Sequence, residues 1–243
     1  MISRLHVAIV SSFLLATTTA HALEAGDNFA AVGVAGISTS LAATSLNYSG
    51  NVVLSGPTLV SGPLPISSAN ASGSSTIALI LGHMFTDHFA LVLDMGYPPK
   101  TSLYMTQPIL TRGASTQIAS VDLWSPMVVG RYYFLDKSSN FRPYLGAGAT
   151  YSRFQNLTLT SAGQSLAPNG ASLDSSIGWV ASMGFNYDFT NTRYFLTGSL
   201  TYTQTRTTMR VNNLADPAPT GPAATTPIRM TNAIGFFGFG CRF

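Results

Sequence analysis

The final stretch of the chain alternates strictly between two kinds of side chain. One face of an extended backbone would carry Ala233, Gly235, Phe237, Phe239, Cys241 and Phe243. The opposite face would carry Gly238, Gly240 and Arg242. A period of two predicts a β-strand. Because its apolar face is too hydrophobic to be exposed to water, the pattern is typical of a strand that faces lipid in a bacterial outer-membrane barrel.

The amino-terminal residues have the three parts of an export signal. Arg4 supplies a positive charge, residues 5–16 are apolar, and Ala20-His21-Ala22 form a small-x-small cleavage site. An uncleaved transmembrane anchor is the alternative, but the apolar stretch is shorter than the ~20 residues that a spanning helix needs. We therefore expect residues 1–22 to be a cleaved signal peptide and residues 23–243 to form one outer-membrane β-barrel domain.

Charge is scarce along the whole chain. Charged residues make up 9% of the sequence, and 12 Lys+Arg against 9 Asp+Glu give a formal net charge of +3. Soluble domains carry about 25% charged residues. Beyond the signal no apolar run is long enough to span a bilayer as a helix, so the composition favours a membrane barrel. No basic run is present, and nucleic acid is not expected as a partner.

Runs of β-forming residues recur along the mature chain, and eight are predicted to be strands. They lie at 28–38, 75–85, 88–97, 121–134, 141–154, 173–189, 194–206 and 229–243. The connections alternate between long loops (39–74, 98–120, 155–172, 207–228) and tight turns (86–87, 136–140, 190–193). Outer-membrane barrels have this asymmetry. The predicted fold is all-β, an eight-stranded antiparallel transmembrane β-barrel with long external loops, short periplasmic turns and both termini in the periplasm.

Few residues are suited to catalysis or metal binding. Cys241 is the single cysteine, and the mature chain has only His83 and His88, both beside the first tight turn. Acyl transfer or hydrolysis would need a nucleophile and an orienting acid next to a histidine. The spacing of His, Cys and Asp matches no metal-binding or nucleotide-binding motif. We expect neither an enzyme nor a bound cofactor or metal.

Several short motifs resemble the OmpW family of small outer-membrane barrels. They are Phe85-Thr86-Asp87, Pro99-Lys100, the run Arg142-Pro143-Tyr144-Leu145-Gly146-Ala147-Gly148 with Tyr151, Leu173-Asp174-Ser175-Ser176, and Phe243. The run that begins at Arg142 is the most specific. Asp122-Leu123-Trp124-Ser125-Pro126 stands where the family has His-Leu-Pro-Pro. The resemblance implies a narrow barrel, partly apolar inside, that takes up small hydrophobic molecules passively and releases them sideways into the bilayer.

Strand register assigns candidate residues to three parts of such a barrel. A polar plug in the lumen is predicted from Asp94, Asp122, Arg131, Arg142, Asn186, Asp188 and Arg242, because buried charges must pair. An apolar path near the mouth is predicted from Ile80, Met84, Val92, Met127 and Val129. Edges of a lateral gate are predicted at Pro98, Pro126 and Pro143, because proline cannot donate to a strand ladder. A simple bulge or strand end is the alternative for these prolines.

The expected partners follow from this location. They are outer-membrane lipid and lipopolysaccharide, a small hydrophobic solute, and the barrel-assembly machinery, which would engage the strand that ends at Phe243. The alternative function is a structural or receptor barrel that transports nothing, whose external loops bind a phage, a bacteriocin or a host ligand.

Overall fold

The structure is a computed structural model that describes residues 23–43, 45–48, 51–53, 59–61, 64–106, 112–212 and 223–243. The predicted signal peptide, 1–22, lies outside these residues. The strands are β1 (Asn28–Ala43), β2 (Ser45–Tyr48), β3 (Asn51–Val53), β4 (Leu59–Ser61), β5 (Leu64–Pro65), β6 (Ser68–Ala71), β7 (Ser74–Met84), β8 (Phe89–Gly96), β9 (Lys100–Thr106), β10 (Thr116–Trp124), β11 (Met127–Tyr133), β12 (Phe141–Leu159), β13 (Ala171–Leu173), β14 (Ser176–Asp188), β15 (Tyr194–Val211) and β16 (Ala224–Arg242). One short helix, α1 (Ser161–Leu166), follows β12. None of the described residues forms a helix long and apolar enough to cross a membrane.

The chain is all-β, and its strand pairings are antiparallel. One series of pairings runs β1–β7–β8–β11–β12–β14–β15–β16 and returns to β1. The closing pair, β1 with β16, keeps an unbroken register from Phe29 opposite Arg242 to Ala43 opposite Ile228. Within this cycle of strands, each strand has a neighbour on both sides, so its backbone amides find partners in the sheet.

The two ends of the strands differ. At one end, which we call the turn end, short connections at 85–88, 134–140 and 189–193 join the strands. At the other, the loop end, the strands continue into additional pairings. There β6 pairs with β1 and β9, and β10 pairs with β9 and β12. The predicted asymmetry between turns and long connections is therefore present.

The described residues form sixteen strands, of which eight belong to the cycle and the others to the connections between them. The run predicted at 121–134 is two strands that break at Ser125-Pro126, where the proline interrupts the ladder. The connections predicted as loops at 39–74 and 98–120 contain β2 to β6, β9 and the start of β10. Their many Ser, Gly and Pro residues suggested irregular loops, whereas Thr and Ser beside apolar residues form short strands there.

Exposure follows the two faces of the sheet. The exposed face carries large apolar side chains, including Val34, Ile77, Leu145, Trp179, Leu200 and Phe237. The enclosed face carries polar residues together with aromatic rings such as Phe29 and Phe195. These rings lie against glycines, because a Cβ at Gly82 or Gly240 would overlap the ring of Phe29 or Phe195. The inside of the cycle is thus a packed core.

Candidate functional site

A central cavity of about 80 Å³ lies inside the cycle of strands. Its wall is mainly apolar and includes Ala35, Ile37, Ala78, Ile80, Met127, Ile234 and Phe236. Hydroxyl and amide groups from Thr39, Thr201, Thr203 and Asn232 complete the lining. Some polar groups bind one another, since Asn232 Nδ2 donates to Thr203 Oγ1 at 3.1 Å and Thr39 Oγ1 donates to Asn232 Oδ1 at 2.7 Å. One buried water needs roughly 10–15 Å³ of cavity volume, so this cavity has room for a short alkyl segment.

An ion pair bounds the cavity on its turn-end side. Arg131 Nη2 donates to both carboxylate oxygens of Asp94, at 3.0 and 2.9 Å. The guanidinium also lies over the ring of Tyr144, 4.7 Å from its centroid. Arg131 is 1% exposed and Asp94 is 8% exposed, so the pair is excluded from water. Burial without a partner would be costly for either charge, which explains why the two occur together.

A second polar layer lies nearer the turn end. Arg242 Nη1 donates to Asp188 Oδ1 at 3.0 Å, and Asn186 Nδ2 donates to the hydroxyl of Tyr133 at 3.2 Å. The guanidinium of Arg142 lies over the ring of Tyr133, 4.9 Å from its centroid. The two layers together form an ionic and aromatic floor beneath the cavity.

The segment from Leu23 to Asp27 covers the turn end, and we call it the strap. The side chain of Leu23 is completely buried against the core that contains Phe29 and Met84. Arg142 donates to the carbonyl oxygens of Leu23 and Asp87. The backbone N–H of Ala25 donates to Asp87 Oδ1 at 2.9 Å, and this bond lowers the pKa of the Asp87 carboxyl below its ordinary value.

The strap also has an ionic contact with the turn before β12. Lys137 Nζ lies 3.2 Å from Glu24 Oε2 and 3.4 Å from Asp87 Oδ2. These two carboxylates raise the pKa of Lys137, chiefly through the hydrogen bond with Glu24. The side chains are well exposed, so the pairs contribute little stability and serve mainly to position the strap.

An opening in the wall of strands lies beside the cavity. β8 ends at Gly96 and β9 begins at Lys100, and between them Pro98 and Pro99 have no N–H for a ladder. A groove on the outer surface shares Ser74, Thr76, Tyr97 and Pro99 with the lining of the central cavity. Thr76 Oγ1 donates to the carbonyl oxygen of Tyr97 at 2.6 Å, and Tyr97 N donates to that of Ile77 at 3.0 Å. Because the two prolines donate no hydrogen bond, this part of the wall has fewer ladder donors than a continuous strand would have.

A second, smaller cavity of about 40 Å³ lies toward the loop end. It is lined almost entirely by apolar side chains, among them Leu103, Met105, Ile118, Leu157, Leu159 and Met209. In the pairing of β9 with β10, Leu103 lies opposite Ala119. Two residues away, Thr101 lies opposite Val121. Thr101 lines the central cavity, so one layer of side chains separates the two cavities.

The predicted path and plug residues are divided between these features. Ile80 and Met127 line the central cavity, whereas Val92 and Val129 are buried and pair across β8 and β11 on its turn-end side. Met84 was wrongly placed near the mouth, because it ends β7 beside the first turn and packs against Leu23.

Of the predicted plug, six residues are buried inside the cycle: Asp94, Arg131, Arg142, Asn186, Asp188 and Arg242. Asp122 is the exception and faces outward, where it accepts a hydrogen bond of 2.8 Å from Asn156 Nδ2. The inward positions of β10 are taken by Ala119 and Val121. The side chain of Asp122 therefore lies in the outer groove beside Pro98.

The three predicted gate prolines have different surroundings. Pro98 lines the outer groove at the opening. Pro126 lies at the break between β10 and β11, but its carbonyl oxygen accepts hydrogen bonds from Tyr151 N and Thr150 Oγ1. Pro143 lies within β12 near the turn end, opposite Phe185 of β14 and far from the cavity lining. Of these three prolines, Pro98 is the one in the outer groove that shares lining residues with the central cavity.

Sequence reasoning missed the inward tyrosines. Tyr133 and Tyr144 are 0% and 1% exposed and pack against each other with ring centroids 5.2 Å apart and an angle of 57° between the ring planes. Each lies two residues after an arginine that was predicted to point inward, Arg131 and Arg142. Because residues i and i+2 share a face of a strand, this spacing could have identified them.

Both histidines of the described chain lie at the turn end. His83 Nδ1 is 3.0 Å from Asn28 Oδ1. His88 Nδ1 donates to the carbonyl oxygen of Tyr133 at 2.8 Å, and its Nε2 is 3.5 Å from Asp136 Oδ1. In the part of the chain that the structure describes, no group of three or more His, Cys, Asp or Glu side chains could hold a metal ion.

Comparison with known proteins gives consistent matches. Residues 58–243 match the OmpW family. Outer membrane protein W of Vibrio cholerae is 30% identical over 145 residues, which are 60% of this chain and 65% of that protein. Outer membrane protein W of Escherichia coli is 28% identical over 184 residues, 76% of each chain.

Solved structures show the same fold. The crystal structure of the outer membrane protein OprG from Pseudomonas aeruginosa aligns with a TM-score of 0.72 at 20% identity, covering 90% of this chain and 97% of that one. The solid-state NMR structure of outer membrane protein AlkL in lipid bilayers aligns with a TM-score of 0.61 at 16% identity and covers 95% of each chain.

Proposed function

The chain belongs to the OmpW family of outer-membrane proteins, and from that premise we propose that it is an eight-stranded transmembrane β-barrel for passive uptake of small hydrophobic molecules. The closed cycle of eight strands would form the barrel. Its turn end and both termini would lie in the periplasm, because outer-membrane barrels place short turns there and long loops outside.

The central cavity is the observation that carries the proposal. It is mainly apolar, it lies above the ionic floor, and it shares lining residues with the outer groove that contains Pro98 and Pro99. An eight-stranded barrel is filled by side chains and is too narrow for a porin-like aqueous channel. An apolar solute of small cross-section suits such a space better than a hydrated one.

A route follows from the two cavities. Hydrophobic solutes cross the polar, ion-bridged layer of lipopolysaccharide poorly. The smaller cavity toward the loop end would offer them an apolar surface. From there a solute would pass one layer of side chains into the central cavity. Release through the floor would require parting Asp94 from Arg131, and uncompensated buried charges of this kind cost about 3–5 kcal/mol. Release sideways at Pro98 and Pro99 breaks fewer hydrogen bonds.

Uptake of an apolar solute by whole cells tests the proposal. Ala78→Phe places a ring in the central cavity, whereas Ala181→Phe places the same ring on the exposed face of β14. The variants are produced in a strain that lacks the unmodified protein. We expect Ala78→Phe to lower the initial uptake rate severalfold and Ala181→Phe to leave it unchanged. Equal uptake through both variants, at equal amounts of folded protein, would contradict transport through the cavity.

A second variant tests lateral release. Pro98→Val with Pro99→Val supplies two N–H donors and two strand-forming side chains at the opening. The wall should tighten there, so we expect slower uptake. Pro143→Val is the matched control, because that proline lies near the turn end and away from the cavity. If the double substitution leaves uptake as it is in the unmodified protein, the solute leaves by another route.

A further inference from the structure

Two arginines lie side by side on the exposed face of the sheet. Arg206 of β15 is directly opposite Arg229 of β16, and both side chains are exposed. Among the described residues, neither guanidinium has a carboxylate within ion-pair distance. Like charges directly opposite each other destabilise a sheet. A bound anion would therefore stabilise this pair.

Their height on the sheet is defined by an aromatic pair. Tyr202 of β15 and Trp179 of β14 stack with ring centroids 5.3 Å apart, on the face that also exposes Leu200 and Met183. Tyrosine and tryptophan on a lipid-facing surface mark the membrane interface. Arg206 lies four residues beyond Tyr202 toward the loop end, a rise of about 13 Å along the strand. The arginine pair thus lies at the level of lipid headgroups.

The surface around the pair is shaped as a groove. Ala42 of β1 is opposite Arg229, so a small side chain stands on one side of the pair. The groove is lined by both arginines together with Ala42, Thr208, Pro227 and Ile228. Apolar side chains of the same three strands, including Val34, Phe237 and Leu200, are exposed below it. A lipid could therefore place its acyl chains on this face and its headgroup in the groove.

We propose that Arg206 and Arg229 form a binding site for a phosphate group of lipopolysaccharide. Guanidinium groups bind phosphate through paired N–H donors, and one phosphate between two arginines would replace their repulsion by attraction. The acyl chains of the same lipid would cover Phe237 and Leu200. The site rests on the orientation proposed above, with the loop end outside, and does not depend on solute uptake.

Binding of lipopolysaccharide to the folded protein in detergent tests the site. We expect Arg206→Gln with Arg229→Gln to weaken binding at least about tenfold, the effect of losing charged hydrogen bonds. Enzymatic removal of the lipid phosphates should weaken binding to the unmodified protein by a similar factor and have no further effect on the double variant. The control Arg112→Gln with Arg193→Gln removes the same charge elsewhere and should bind as the unmodified protein does.

Other arms separate the possible anions. Inorganic phosphate at millimolar concentration should not displace lipopolysaccharide, and displacement would overturn the assignment to lipopolysaccharide. Phosphatidylglycerol should bind equally to the unmodified protein and to the double glutamine variant. A tenfold weaker binding of phosphatidylglycerol to the variant would also overturn the assignment. Asp216, which lies outside the described residues, is the nearest acid along the chain from Arg229. If Asp216→Asn tightens binding tenfold or more, that carboxylate is the arginines' partner and the proposal fails. Unchanged binding supports it.

Folding is controlled independently. Heat-modifiable mobility in gels reports whether each variant is folded, and Arg206→Lys with Arg229→Lys provides a second variant that keeps the charge but loses the paired donors. We expect this variant to bind more weakly than the unmodified protein. Equal binding by the lysine and glutamine variants and the unmodified protein would overturn the site. Solute uptake should be unchanged in all of them, which separates this result from the test of transport.

Discussion

At the scale of single residues, the pairing of Asp94 with Arg131 explains how charge is accommodated inside a narrow barrel. The two side chains come from neighbouring strands, β8 and β11. One guanidinium nitrogen of Arg131 donates to both carboxylate oxygens of Asp94. Tyr144 packs against the same guanidinium. The pair both closes the cavity toward the turn end and holds two strands in register.

Removing one member of this pair should be far more damaging than removing both. We expect Arg131→Met to lower the free energy of unfolding by roughly 3–5 kcal/mol, because Asp94 would be left buried without a partner. Arg131→Met combined with Asp94→Leu should recover much of that loss. Urea unfolding in lipid vesicles measures it, with outward Asp122→Leu as the control. A double variant as unstable as the single one would contradict this explanation.

Glycines inside the barrel make a second prediction possible. A Cβ at Gly240 would overlap the ring of Phe195 and approach the carbonyl oxygen of Ala30, whereas a Cβ at Gly36 would meet nothing within 4 Å. We expect Gly240→Ala to destabilise the folded protein by about 1–3 kcal/mol, as overpacking does. Gly36→Ala should have a small effect. Similar unfolding midpoints for the two variants would show that the Phe195 ring can move aside.

The sequence predicted individual side chains well where strand register was unbroken. Alternation placed Arg131, Asn186 and Arg242 correctly inside, because one period of two runs the whole length of their strands. It failed at Asp122, although the alternation that places Arg131 and Val129 inside also places Val121 inside and Asp122 outside. A single inward residue assigned with the wrong parity is put on the wrong face of the sheet.

At the scale of elements, the strap distinguishes the turn end from an open pore. Leu23 fills the core beneath the second polar layer, and Arg142, Asp87 and Lys137 fasten the backbone from Leu23 to Ala25. The segment crosses the end of the cycle of strands. Passage of a solute straight through the barrel would first have to release it.

The fastening of the strap should depend on pH. The pKa of Asp87 is lowered from its ordinary 3.8 by the N–H of Ala25 and, to a smaller extent, by Lys137. A lowered pKa stabilises the folded form above the ordinary value, and this stabilisation disappears as the pH falls through the lowered pKa. We expect the protection of the Ala25 amide from hydrogen exchange to decrease on acidification from pH 5 to below pH 3.

A neighbouring group, Asp27, must be considered in that measurement. Burial raises the pKa of Asp27, whose carboxylate accepts from Glu24 N at 3.0 Å, so that contact should be lost at a higher pH than the contact with Asp87. Asp87→Asn is the direct control, and the Ala25 amide should then be weakly protected at every pH. A protection factor in the unmodified protein that does not change between pH 5 and a pH well below 3, while the protein stays folded, would rule out this role of Asp87.

The elements at the loop end were the least predictable. The long strands β15 and β16 are paired from Tyr194 opposite Cys241 to Val211 opposite Ala224, well beyond the predicted limits of 206 and 229. Thr207, Thr208 and Thr225 look like loop residues in a polar, uncharged stretch, yet threonine is also a strand former. What decides between the two is pairing with a distant strand, which composition does not encode.

At the scale of the whole molecule, closure of the sheet separates an apolar outer surface from a polar and aromatic interior. The enclosed space is not continuous. From the loop end to the turn end, the smaller cavity, the central cavity and the floor follow one another. The central cavity shares Ser74, Thr76, Tyr97 and Pro99 with the groove on the outer surface. Under the proposed function, we expect this arrangement to favour transfer into the membrane over transfer to the periplasm.

The occupancy of the central cavity tests this view most directly. Solid-state NMR in bilayers, with a medium-chain alkane and methyl labels on isoleucine and methionine, can detect contacts between the solute and individual side chains. We expect contacts with Ile80, Met127 and Ile234, which line the cavity, and none with Met84, which lies beneath the floor. Contacts confined to the exposed Ile77 and Met183, as for any dissolved alkane, would contradict the proposed uptake.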